Sequence, residues 1–126
     1  MLDMYTLVDG KPKKEKDFVK WREAAGNRKD WIVGQERIRN LFRTKKFFVS
    51  TVFLGIDHNF SSSKKPILYE TCIFNEKSND GFFYQSWVVE RYETKEEALL
   101  GHKDWVNFIK TNKTPEIIKK LEEKAI

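Results

Sequence analysis

A single cysteine, Cys72, stands among 126 residues, so no intrachain disulfide can form. It lies in an apolar run and reads as core rather than as a nucleophile. Histidine is nearly as scarce. His58 and His102 are the only two, and no His-x-x-x-His or Cys-x-x-Cys spacing suggests a ligand pair. One thiol and two imidazoles also argue against a nucleophile–base pair. A Gly-rich phosphate loop and a Gly-x-Ser-x-Gly elbow are missing, as are helix-turn-helix, zinc-finger and RNP-like runs. No apolar run approaches the roughly 20 residues that cross a bilayer. Met1-Leu2-Asp3-Met4 is too polar for a signal peptide's h-region. The expectation is a soluble, cytoplasmic protein with no membrane partner.

What is present fits one domain over residues 1–126 with one modest core. Hydrophobic residues make up 40% and charged residues 34%, the balance of a globular chain rather than a disordered one. Aromatics reach 14%, enough to build a core and leave rings for stacking on a partner. The net charge of +5 is unevenly spread. Residues 1–65 carry 15 Lys+Arg against 8 Asp+Glu, whereas residues 66–126 carry 9 against 11. The excess lies in Lys11–Lys16, Arg37–Lys46 and Lys64–Lys65. Such a region attracts nucleic acid, nucleotides or an acidic protein, and its plainer reading is a solvated surface.

The pattern predicts an α+β fold: an antiparallel four- to five-stranded meander sheet with flanking helices, two of them C-terminal. Tyr5–Val8 reads as a short strand stopped by Asp9-Gly10, and Lys11–Lys16 as a basic loop. Asp17 is placed to cap a helix through Phe18, Val19 and Trp21, ended by Gly26-Asn27. Strands are expected at Trp31–Asn40, Phe47–Ile56, Ile67–Phe74 and Phe82–Tyr92. The Phe47–Ile56 run has apolar residues on both alternating sets, which predicts cover on both faces. Thr94-Lys95-Glu96-Glu97 has the spacing of a capping box. The helix that follows carries Ala98, Leu99, Trp105, Val106 and Ile109 on one stripe, with His102 among them. Thr114-Pro115 starts a last helix, with Ile117, Ile118, Leu121 and Ala125 as its apolar stripe.

Two constellations could carry chemistry. Asp57 and His58 end the central strand, Glu70 sits in the next one, and His102 projects from the capped helix. If that helix covers the sheet, His102 approaches Glu70 or His58. Two imidazoles and two carboxylates could hold a metal or exchange protons. A hydrogen-bonded network that orients the core accounts for the same residues, and the spacing matches no ligand motif. The second constellation sets Phe60, Phe82, Phe83, Tyr84, Trp87 and Tyr92 near Lys64, Lys65 and Arg91. Rings that stack on a base beside cations that meet phosphate make a nucleotide pocket, although strand aromatics also fill cores.

The run Val49-Ser50-Thr51-Val52-Phe53-Leu54-Gly55-Ile56-Asp57-His58-Asn59-Phe60, followed by Pro66-Ile67-Leu68-Tyr69-Glu70-Thr71-Cys72-Ile73-Phe74, resembles a small protein family common in tailed bacteriophages and prophages. The resemblance extends to Asp9-Gly10, the Trp21 helix, Glu90-Arg91-Tyr92, Thr94, Glu97-Ala98 and Gly101-His102. This chain differs from many members in its longer basic insertions, such as Arg43–Lys46, and in its extra final helix. The resemblance implies a counter-defence factor akin to the Thoeris anti-defence proteins, which sequester a cyclic ADP-ribose signal in pockets of an oligomer. It implies a non-enzymatic, homo-oligomeric protein of the host cytoplasm, with no cofactor and no metal. Its ligand would be a signalling nucleotide. Arg91 and the Lys64 loop would meet phosphate, Phe60 or Phe82 would stack on the base, and Asp57 or Glu70 would bind ribose hydroxyls, with His58 and His102 beside them. A protein–protein inhibitor that presents its basic face to a host defence effector is the alternative partner reading. A small metal-dependent hydrolase is the third, and nucleic acid is a less favoured partner.

Overall fold

The computed structural model describes residues 3–27, 29–59, 65–77 and 82–126, with backbone alone at 77 and 82–84. The fold is α+β, and its centre is a four-stranded antiparallel sheet in chain order: β3 (Ile32–Arg39), β4 (Lys46–Phe53), β5 (Tyr69–Lys77) and β6 (Phe82–Tyr92). The strands form where β-branched and aromatic residues concentrate between polar turns. Register fixes which side chains share a face. Val49 lies opposite Ile73 and Thr51 opposite Thr71, while Phe48 lies opposite Phe74 and Val52 opposite Glu70. The first set is buried beneath two C-terminal helices, α2 (Lys95–Thr111) and α3 (Thr114–Lys124).

Helix α2 starts at the Thr94–Glu97 capping box, with both reciprocal hydrogen bonds formed. It buries Ala98, Gly101, His102, Trp105, Val106 and Ile109 against the sheet. Leu99 falls outside this stripe and is 38% exposed, because the helix turns its Ala98–His102–Trp105–Ile109 edge inward. Pro115 sits in the first turn of α3, which buries Ile117 and Leu121 against Trp87, Val89 and the α2 face. Ala125 is exposed, since α3 ends at Lys124.

The other face of the sheet carries Arg37, Phe48, Ser50, Cys72, Phe74 and Glu70, and no helix among the described residues packs across it. Cover on both faces was the expectation; among the described residues α2 and α3 both lie on one side, and Phe48 and Val52 on the other are half-buried. Cys72 is half-buried on this face and belongs to neither core cluster.

A second small sheet stands at one end. β1 (Tyr5–Val8) turns through Asp9 (φ 52°) and Gly10 (φ 77°) into β2 (Lys11–Lys14). Two successive left-handed residues make the two-residue hairpin turn whose twist suits antiparallel strands. Lys11–Lys14 is thus a strand and not a loop, despite its four exposed side chains. The hairpin is tied to the chain after β4 by the Met4–Ile56 bridge and by Tyr5 N–H donating to Gly55 O at 2.7 Å. Between them sit α1 (Phe18–Gly26), capped by Asp17, and the buried Trp31. Gly55 (φ 75°) lies so close to Trp31 that a Cβ there would stand 2.5 Å from the indole. No described helix is long and apolar enough to cross a membrane.

Candidate functional site

His102 enters the core from α2 and meets β3 and β4 together. Its Nε2 lies 2.9 Å from Glu36 Oε1, and its Nδ1 lies 2.8 Å from Thr51 Oγ1. Thr51 Oγ1 lies 2.7 Å from Thr71 Oγ1, which lies 2.9 Å from the Tyr92 hydroxyl. A carboxylate only accepts, so Nε2 carries a proton, and Nδ1 pairs with the Thr51 hydroxyl. The Thr51, Thr71 and Tyr92 hydroxyls continue the series, each hydrogen-bonded to the next. Burial, aided by Glu90 and Asp104 and opposed by the Thr71 hydrogen bond, pushes the Tyr92 phenol up to about 12. The order Glu36–His102–Thr51 imitates an orienter, base and nucleophile. Thr51 and Thr71 are 0% exposed, however, so no substrate reaches the hydroxyl. This series of hydrogen bonds is a structural tie between α2 and all four strands of the sheet.

The other sequence candidates do not join it. Glu70 projects from the helix-free face and binds Arg91, with Nε to Oε2 at 3.0 Å, while His102 lies under the opposite face. The sheet itself separates them. β4 ends at Phe53, so Asp57 and His58 follow the strand across Gly55 instead of ending it. Asp57 Oδ1 accepts from Asn59 N–H (2.8 Å) and Ile67 N–H (2.9 Å) and closes the loop between β4 and β5. His58 N–H donates to Ile67 O, and its Nδ1 donates to Ile56 O at 2.8 Å, since a carbonyl cannot donate. These two residues form a loop joint. Phe60, Lys64 and the side chain of Phe82 lie outside the described residues. Among the described residues no three His, Cys, Asp or Glu side chains converge on a point that could hold a metal.

A different place has the character of a site. Beside the C-terminal end of β3, a cavity of about 670 Å³ is lined by Arg37, Arg39, Arg43, Lys46 and Lys110, with Ile38, Asn40 and Leu41. Five side chains are cationic, and among the described residues no carboxylate lines the space. Its volume falls within the range of small-ligand pockets. Arg39 and Lys46 arrive opposite each other across β3 and β4, and Lys110 comes from the last turn of α2. The turn between the strands is built by buried Asn40. Its Oδ1 accepts from Thr44 N–H and Lys45 N–H, and its Nδ2 donates to the hydroxyls of Thr44 and Thr114. Arg43 takes a left-handed conformation, φ 58°, and its carbonyl accepts from Arg39 Nη1 at 3.3 Å. Arg37 is committed in part to the buried Glu76 carboxylate, 2.5 Å from its Nε. The remaining cations repel one another, which an incoming anion relieves.

The sequence flagged Arg37–Lys46 as basic but did not group it with Lys110, which lies far along the chain on a helix end. The partners of His102 were also missed. The available signal was a polar residue on an inward-facing strand position: Glu36 two before Ile38, and Thr51 between Val49 and Phe53. No family model, curated protein or solved structure matches this chain.

Proposed function

We propose that the protein binds a signalling nucleotide and holds it without turnover, with the phosphates in the basic cavity beside β3. The observation that carries this reading is the convergence of five cationic side chains on one cavity, with no carboxylate among the described residues that line it. Guanidinium and ammonium groups recognise phosphate through charge-assisted hydrogen bonds, and clustering raises the local concentration of anions. Arg39, Arg43, Lys46 and Lys110 are the phosphate ligands of this proposal. Arg91 is less suited, because Glu70 already engages it. The phage-family resemblance supports a counter-defence role in host cytoplasm, in which a homo-oligomer sequesters a cyclic ADP-ribose type or cyclic oligonucleotide signal. Sequestration requires slow release, not catalysis.

The test is to incubate the protein with cyclic ADP-ribose and cyclic oligonucleotides, remove it by filtration, then heat-denature the retained fraction. Depletion of ligand followed by its intact recovery is expected. Recovery of an altered product would make the protein an enzyme, and absence of depletion would end the reading. Lys46→Glu with Lys110→Glu is expected to weaken retention about ten- to hundredfold, the scale of lost hydrogen bonds to charged groups.

A further inference from the structure

The cations of the basic cavity continue into a surface of aromatic rings on both sides. At the tip of the β3–β4 turn, Leu41 and Phe42 are 47% and 61% exposed. The tip is held rigid. Leu41 N–H donates to Asn112 O at 3.0 Å, Arg43 N–H donates to Asn40 O at 2.9 Å, and the Asn40 side chain ties the turn to Thr114. A turn so fixed keeps its apolar pair in water without burying it in this chain. Lys113 Nζ lies 5.5 Å from the Phe42 ring. In the other direction the Arg37 guanidinium sits 5.0 Å over the Phe48 ring, which lies 5.8 Å from Phe74 on the helix-free face.

The cations therefore lie between two rings: Phe42 at the tip, then Arg43, Arg39 with Lys46, and Arg37 over Phe48. We propose that this surface binds a single-stranded nucleic acid, with its phosphates in the basic cavity and one base stacked on Phe42. The inference rests on reading the cavity as a phosphate site, and goes beyond a small signal in requiring a chain of nucleotides. A run of cations with an exposed ring at its end suits a flexible strand, because unstacked bases seek π faces while the backbone tracks charge. A duplex keeps its bases paired and stacked, so it would meet the cations and gain nothing from Phe42. A bilayer touching Leu41 and Phe42 would leave Arg37 unused, since it lies back along β3 from the tip.

The test uses the full chain and a fluorescein-labelled thymidine 12-mer, read by anisotropy across a salt series. Binding that weakens steeply with salt is expected. A duplex of equal length should bind at least tenfold more weakly. Phe42→Ala, at an exposed position, should leave the circular dichroism and Tm unchanged and weaken the 12-mer roughly five- to hundredfold, the range for one base–ring stack. Lys46→Glu with Lys110→Glu should lower the slope of log K against log salt by about 0.7 for each phosphate no longer neutralised. No binding, equal binding of the duplex, or an unaffected Phe42→Ala protein overturns the inference. So does binding to vesicles containing phosphatidylglycerol without binding to the 12-mer. Retention of cyclic nucleotides with no 12-mer binding overturns it while sparing the proposed function, and the reverse result spares only this inference.

Discussion

Gly34 and His102 show how one missing methyl group can hold a network together. A Cβ at Gly34 would stand 2.8 Å from His102 Nε2, the atom that meets Glu36. Gly34→Ala is expected to push the imidazole aside and cost about 1–3 kcal/mol, the usual range for overpacking. Urea midpoints measure it, and His102→Ala should abolish most of the penalty in a double-mutant cycle. An equal penalty in both backgrounds would show that the clash lies elsewhere. Cys72 offers a second test. Burial, with Glu70 adding repulsion, pushes its thiol up to about 11. Alkylation at pH 8 should run about a hundredfold slower than for an unperturbed thiol, and unfolding in urea should restore it. The sequence made His102 legible as an inward polar residue but not its partner. Glu36 is half-exposed on an edge strand, and only the pairing of Ile38 with Phe47 reveals which way it faces.

The elements that announce themselves in sequence are those whose ends are chemically marked. Asp17, Thr94 with Glu97, and Pro115 each stand where a helix begins. Thr94→Ala is expected to cost about 1 kcal/mol, measurable as a lowered Tm with no change in folded-state helicity. β2 escaped notice because Lys-Pro-Lys-Lys has no buried residue, and its strand conformation comes from the turn and from β1. The β3–β4 turn escaped for a different reason. Its geometry depends on Asn40 reaching Thr114, far along the chain, and no local pattern holds both residues. Asn40→Ala removes the bonds to Thr44, Lys45 and Thr114 from a residue 3% exposed. A loss of about 2–4 kcal/mol is expected. Because the same turn carries Arg43 and Leu41, ligand retention should fall in step with local order, which amide exchange at Arg43 would report.

Over the whole molecule, alkaline pH should be the weak flank. The folded-state value of Tyr92 lies above the ordinary 10.0, at about 12. Its stabilising share is complete below pH 10 and is lost as the pH rises through 12, a loss of about 3 kcal/mol when integrated. Tyr69 is raised as well, by burial first and then by Glu96. Urea unfolding at pH 8, 10 and 11.5 should therefore show progressive destabilisation, and Tyr92→Phe should flatten the profile; a level profile would refute it. The global plan was legible because the strands follow one another in space as in sequence, the simplest solution for hairpin-linked runs. The packing of both C-terminal helices on one face was not, because apolar residues on both sides of β4 suggested two covers. Among the described residues that sheet ends at β3, which pairs with β4 and carries a register shift at Ile32/Gly34 together with Arg37 and Arg39. Charges and bulges on a border strand deter the growth of a sheet from molecule to molecule. The guanidinium groups that guard this border strand are thus the same ones proposed to meet anions. Neutralising them would cost solubility along with binding, and saturation with a polyanion would ease the guard that keeps neighbouring copies apart.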